Sequence, residues 1–205
     1  RSTPLYSSAA SDVYKRQVHM FIQTEQTPNP QTLKFLPGKV VMDDGTAFFQ
    51  NVGEAADSPF AKRLFDVEGV EGVFFGSDFI TITKNQSLDW QVMKPALLGA
   101  IMDHYSSGEE VIKKVKDEKG KKSLDQQPED SEIVKQIKEL LDTRVRPAVA
   151  MDGGDIIYDD FEDGVVFLKM QGACSGCPSS TATLKMGIEN MLKHYFPEVQ
   201  EVRPV

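Results

Sequence analysis

Hydrophobic and polar positions change rhythm several times along this chain, and each change marks an element. In "FIQTEQ", Phe21 to Gln26, the two-residue alternation of a strand ends at the turn Thr27-Pro28-Asn29-Pro30. "QTLKFLPG" predicts a second strand, stopped by Pro37-Gly38. "KVVM" and "TAFFQ" flank Asp43-Asp44-Gly45 and predict a hairpin. "SPFAKRLFDVEG" carries a helix signature: Ser58 as N-cap, Pro59 at the first helical position and Gly69 as the stop. "VEGVFFG" and "DFITITK" predict two more strands around Gly76-Ser77-Asp78, and "DWQVMKPALLGAIMDHYSSG" a helix containing Pro95 and Gly99.

A second rhythm begins at Ser131. "SEIVKQIKELLDTRV" places Ile133, Ile137, Leu140, Leu141 and Val145 on one helical stripe, capped by Asp130 or Ser131. "AMDGGDI" predicts a turn. "DIIYDDF" and "GVVFLKMQG" predict strands joined through Glu162-Asp163-Gly164. "PSSTATLKMGIENMLKHYF" predicts a helix with Leu184, Ile188, Met191, Leu192 and Tyr195 on one face. Pro197 ends it, and "EVQEVRPV" closes as a short strand. The second unit therefore reads α-β-β-α-β.

Between these units the composition shifts. "KKVKDEKGKKSLDQQPED" has almost no apolar residues and charges of both signs, too little to offset chain entropy. The expected organisation is a mixed α/β (α+β) chain of two small domains: a leader over 1–19, non-native or disordered; an N-terminal domain over 20–106; a charged flexible linker over 107–130; and a C-terminal domain over 131–205. The leader lacks an apolar segment of signal-peptide type and is set aside from fold reasoning.

Composition then narrows the function classes. The 205 residues are 40% hydrophobic and 26% charged, an ordinary globular balance, with a net charge of −8. That charge argues against nucleic acid as the main partner, since phosphate binding needs a basic surface. No apolar run approaches the roughly 20 residues that span a bilayer. Two cysteines cannot build a disulfide framework, so a reducing compartment is expected.

Those two cysteines carry the candidate chemistry. Cys174 and Cys177 stand in "MQGACSGCPSSTATLK", between the end of a predicted strand and a helix entry. Pro178 suits the first helical position. The free N–H groups and positive end of that helix are expected to lower a nearby thiol's pKa. Gly172 and Gly176 permit close approach of backbone to a ligand. Four readings follow. A thioredoxin-like redox pair shares the C-x-x-C, but lacks the βαβ context here. A structural zinc site needs four ligands, and His19, His104 and His194 do not supply them. Two small buried hydrophobes would be the bland reading. A cluster shared by two copies closes the count, because a symmetric dimer presents four thiolates and a [4Fe–4S] cubane takes four.

"MDGGDI", the hairpin and "GACSGCPSSTATLKMGIENML" resemble the C-terminal domain of NifU and the Nfu iron–sulfur proteins, and "TPNPQTLKF" is similar to the Nfu N-terminal domain. The resemblance spans Met20 to Val205. It implies a scaffold or carrier, not an enzyme, that binds a [4Fe–4S] cluster through Cys174 and Cys177, is bridged into a homodimer, receives the cluster from upstream assembly machinery and passes it to apo iron–sulfur proteins. The expected compartment is the cytoplasm in a bacterium or the mitochondrial matrix in a eukaryote, with no nucleic acid and no membrane as partner. The alternatives are a thiol–disulfide oxidoreductase and a zinc-stabilised interaction module. Asp152, Gly153 and Gly154 read as a tight turn. Ser175 completes the loop or tunes the cluster. Ser179, Ser180 and Thr181 satisfy the first helical N–H groups. Met151, Met170, Met186 and Met191 read as core fillers, and Trp90 as packing at a helix start.

Overall fold

The computed structural model describes residues 21–113, 131–176 and 178–205, with backbone alone at 178–180. The leader, residues 114–130 of the expected linker, and Cys177 lie outside the described residues.

The first unit is a five-stranded antiparallel sheet. Its strands β1 (Gln23–Gln26), β2 (Thr32–Leu36), β3 (Ala47–Phe49), β4 (Val70–Phe75) and β5 (Ile80–Lys84) lie in the order β1-β2-β5-β4-β3. Helices α1 (Pro59–Phe65) and α2 (Trp90–Ser107) cover one face. Leu33 and Phe35 of β2, Val73 and Phe75 of β4, and Ile80 and Ile82 of β5 project into that core. They meet Phe60 and Leu64 of α1 and Met93, Leu97 and Ile101 of α2. The predicted Ser58 cap forms, its Oγ accepting from the Ala61 N–H at 3.0 Å. Helix α2 is capped by Asp89, which was not among the expected caps and accepts from the Gln91 N–H at 2.8 Å. Ser131, expected to cap the helix that begins at Glu132, makes no side-chain cap bond, and Asp130 lies outside the described residues. Pro95 sits within α2 without ending it. Trp90 packs at the helix start as expected, its indole N–H donating to the Pro30 carbonyl.

The hairpin expected around Asp43-Asp44-Gly45 does not form. Val41 is buried, and the Val41 and Met42 N–H groups both donate to the Ser77 carbonyl, which ties "KVVM" to the β4–β5 turn. β3 pairs with β4 instead. Of the stretch read as linker, Val111 packs on the first core, and its carbonyl accepts from Ser58 Oγ at 2.6 Å.

The second unit follows the predicted α-β-β-α-β order. Helix α3 (Glu132–Leu140) continues through a wide π-type turn (Leu141–Val145) into α4 (Arg146–Met151). The helix thus runs further than its stripe predicted. At the wide turn the Arg146 N–H reaches back five residues to Leu141. Pro147, which has no N–H to donate, falls in the opening turn of α4, where that lack is harmless. Strands β6 (Gly154–Glu162) and β7 (Val165–Gly172) form the predicted hairpin, with Asp163 and Gly164 both at positive φ in a two-residue loop. Helix α5 (Pro178–Tyr195) crosses over to β8 (Glu201–Pro204), which lies parallel to β7.

The core gathers Ile137, Leu141, Val145 and Val149 against Ile156, Val166, Leu168, Ile188 and Leu192. Three sequence expectations fail at its edge. Met151 and Met186 are exposed rather than core fillers, and Tyr195 is half-exposed beneath the Arg144 guanidinium. Met170 and Met191 do pack on the core.

Candidate functional site

Cys174 sits two residues beyond the end of β7, in the loop that leads to α5. Its backbone is held from both sides. The Ala173 N–H donates to the Gly153 carbonyl at 3.1 Å, and the Ser175 N–H donates to the Gly172 carbonyl at 3.1 Å. The Thr181 hydroxyl donates to the Cys174 carbonyl at 3.1 Å, so this first-turn side chain steadies the loop. The turn Asp152-Gly153-Gly154 is thus a prop for the thiol loop. Gly153 has φ +82°, which favours glycine. Gly154 lies flush against the thiol: a Cβ there would stand 2.6 Å from Cys174 Sγ and 2.7 Å from the Gln171 carbonyl oxygen.

The thiol is buried, with only 5% of Cys174 exposed. Burial pushes its pKa up to about 12, and the carboxylates of Asp152 and Asp155 add to the rise. This corrects the expectation of a lowered pKa: the loss of solvent around Cys174 outweighs the positive helix end. In this state Cys174 is a thiol, and loading a metal requires removing its proton.

Asp155 anchors the other side of the prop. Its carboxylate accepts from Arg146 Nε and Nη2, both at 2.8 Å, and from the Thr46 hydroxyl at 2.9 Å. The paired carboxylates of Asp155 and Asp142 raise the Arg146 pKa further. The Thr46 bond crosses from one unit to the other, and so do four more. Lys34 Nζ donates to the Ala150 and Met151 carbonyls at 3.3 and 3.1 Å. The Thr81 hydroxyl donates to the Gly153 carbonyl at 2.7 Å. Asn29 Nδ2 donates to the Ser175 carbonyl, between the two cysteines, at 3.3 Å. A cleft of about 330 Å3 beside this junction is lined in part by Thr46, Phe79, Arg146 and Asp155.

The sequence named Cys174 as a ligand candidate, Asp152-Gly153-Gly154 as a tight turn and Thr181 as a first-turn residue; the structure brings the three together, a juxtaposition the sequence did not predict. Nor did the sequence single out Asn29, Lys34, Thr81 or Arg146. A signal existed for two of them: Lys34 and Thr81 are the polar members of strands whose alternate positions are strongly apolar, which marks a second face of the sheet.

A loop thiol propped by a double-glycine turn in an α-β-β-α-β unit, joined to a five-stranded sheet unit, defines a two-part thiol-bearing protein. Residues 22–108 match the family described as scaffold protein Nfu/NifU N terminal, and residues 137–203 match the NifU-like domain. The chain is 50% identical over 203 residues to the human protein named NFU1 iron-sulfur cluster scaffold homolog, mitochondrial, covering 98% of this chain and 78% of that protein. It is 54% identical over 185 residues to NifU-like protein 4, mitochondrial, of Arabidopsis thaliana, covering 89% of this chain and 65% of that protein. The solution structure of a NifU-like protein from Saccharomyces cerevisiae aligns with a TM-score of 0.42 and 30% identity, over 46% of this chain and 86% of that one. The chain belongs to the Nfu/NifU scaffold family.

Proposed function

We propose that this chain is an iron–sulfur cluster scaffold and carrier, with Cys174 and Cys177 as its cluster ligands and a [4Fe–4S] cluster as its cargo. The observation that carries the reading is the thiol loop: the chain's only two cysteines stand three residues apart, and the loop is tied through the Ala173 N–H to the Gly153 carbonyl of a turn whose Gly154 lies against the Cys174 thiol. Two thiolates per chain are half of what a cubane takes, so two copies share one cluster. The relatives carry "iron-sulfur cluster scaffold" and "NifU-like" in their names, which supports the cargo, and "mitochondrial", which supports the matrix as the compartment.

The chemistry is ligand exchange, with no bond of the cargo made or broken by a catalytic residue. Cys174 and Cys177 lose their protons as iron binds. Thiolates of an apo-protein then replace them one at a time, and the donor thiolates take protons back from solvent. The upstream donor and the recipients approach the same loop. The working parts are the unit over 20–106, the segment over 107–130 and the cluster-binding unit over 131–205.

Anaerobic reconstitution with ferrous iron and sulfide tests this. The expected product is a brown dimer with about four iron and four sulfide per two chains. Cys174→Ala and Cys177→Ala each abolish it while the apo-chain keeps its fold. A monomer that takes up no iron and cycles a Cys174–Cys177 disulfide overturns the proposal in favour of an oxidoreductase. Unfolding of either cysteine variant, with zinc restoring the wild-type fold, would point to a structural metal instead.

A further inference from the structure

The five-stranded sheet has two faces of different character, one apolar and one mixed and buried towards its middle strands. The apolar face lies under α1 and α2. On the other, register sets Glu25, Lys34, Thr81, Phe74 and Phe48 side by side across all five strands. Lys34, Thr81 and Phe74 are buried there, although both helices of their own unit lie on the opposite side. The second unit covers them. Its contact points are Ala150, Met151, Gly153, Asp155, Gly172 and Ser175. All six fall in 150–155 and 172–175, the two segments that frame Cys174.

We propose that the N-terminal unit is a removable cover for the thiol loop. Docked, its sheet face, where Lys34 and Thr81 stand beside Phe74, closes over the loop and adds to the burial Cys174 has in the core of its own unit, keeping it from solvent in the cluster-free chain. Undocked, it frees the surface on which a second copy must sit for two loops to face one cluster. Docking of the N-terminal unit and pairing of two chains therefore compete for one surface. The pairing half of this inference rests on the carrier reading; the covering half does not.

The geometry favours a reversible contact. The junction joins one aromatic contact, Phe74 against Gly172, to hydrogen bonds with backbone carbonyls and one carboxylate, which water can replace at modest cost. Lys34 reaches the last carbonyls of α4, the negative end of that helix, so a cation there aligns the two units.

The test is alkylation of the reduced, iron-free full-length chain, followed residue by residue by mass spectrometry. Cys174 of the wild type labels slowly. Lys34→Met with Thr81→Val removes three of the bonds described above while conserving volume, and Cys174 labels about tenfold faster or more, each bond contributing a factor of about five before relaxation. Thr81→Val alone, nearly isosteric, raises the rate about fivefold and serves if the double variant loses its circular dichroism. An unchanged rate in a folded variant overturns the cover. Because no iron is present, the outcomes separate. Faster labelling without cluster uptake removes the carrier reading and leaves the cover. Unchanged labelling with a normal brown dimer does the reverse. A further readout is amine labelling of Lys34, which rises when the reconstituted dimer forms and stays constant if pairing and docking use different surfaces.

Discussion

Gly154→Ala is the sharpest probe of how the glycine turn meets the thiol. The added Cβ would stand 2.6 Å from Cys174 Sγ, 2.7 Å from the Gln171 oxygen and 3.2 Å from the Cys174 nitrogen. Comfortable contacts of carbon with these atoms lie near 3.3–3.8 Å, so the overlaps are about 1.2 Å at the sulfur, about 0.6 Å at the oxygen and about 0.2 Å at the nitrogen. Two of the three obstacles are backbone atoms and cannot rotate aside. Gly154 also pairs directly with Gly172 at the end of the β6–β7 ladder, so relief requires the strand ends to part. Overpacking of this kind costs about 2–3 kcal/mol. Alanine recovers about 0.4–1 kcal/mol by restricting the unfolded chain. The net is a destabilisation of about 2 kcal/mol, which for a unit of this size lowers its melting temperature by about 8–16 °C. Thermal unfolding followed by circular dichroism measures it. Gly187→Ala is the control, since a Cβ at this exposed position in α5 meets nothing within 4 Å. It is expected to stabilise by about 0.5–1 kcal/mol. A Gly154→Ala melt at or above the wild-type value, or equal shifts for both variants, would refute the close-approach argument.

Three further outcomes follow from the same geometry. Arg146→Leu strips two charge-assisted bonds from Asp155, whose side chain is almost fully buried. The cost is about 2–3 kcal/mol in urea unfolding, below the usual figure for a broken buried pair because the arginine is partly exposed and screened; a loss under about 0.5 kcal/mol would mean the pair is ornamental. Adding Asp155→Asn to that variant recovers part of the loss, because a neutral amide no longer needs the cation. His104 stacks on Phe60 and is held below its ordinary pKa by burial and by Arg63, with Glu109 opposing. It stays neutral when folded while the unfolded chain protonates, so its effect is absent above about pH 6.5 and stability falls as pH drops below that, by at most about 1.4 kcal/mol per pH unit. His104→Phe flattens the pH 7.5 to 5.5 profile; an identical slope in the variant assigns the acid sensitivity elsewhere.

Much of the fold was legible because its rules are local. Ser58 before Pro59, Asp163-Gly164 between alternating strands and Pro197 after an apolar face each act within a few residues, and each element formed where they placed it. "KVVM" misled because its strand-like composition lost to a distant carbonyl, that of Ser77, which took both of its N–H groups. The helix through Pro147 outran its stripe because a wide turn removed the proline's usual penalty. At the site, the loop and its glycines were readable, but the state of the thiol was not. The Cys174 pKa is set by burial and by Asp152 and Asp155, and part of the wall around the loop comes from Asn29 and Thr81, more than 90 positions earlier in the chain.

The wide turn between α3 and α4 has a consequence for how the chain tolerates length changes. Ile137, Leu141, Val145 and Val149 recur every four residues and all face the core. An ordinary helix turns 100° per residue, so a strict four-residue spacing would drift about 40° at each step and walk off its face. The wide turn takes up the surplus and keeps the stripe in phase. It behaves as a single inserted residue absorbed without a loop. Deleting one residue between Leu141 and Val145 would restore a uniform helix with its far end still in phase, whereas inserting a further residue there would swing everything beyond it by about 100°. Arg146 would leave Asp155, and the Asp152-Gly153-Gly154 turn would enter β6 at the wrong angle to hold the thiol loop. The spacing of a few core residues upstream thus sets the aim of the site downstream.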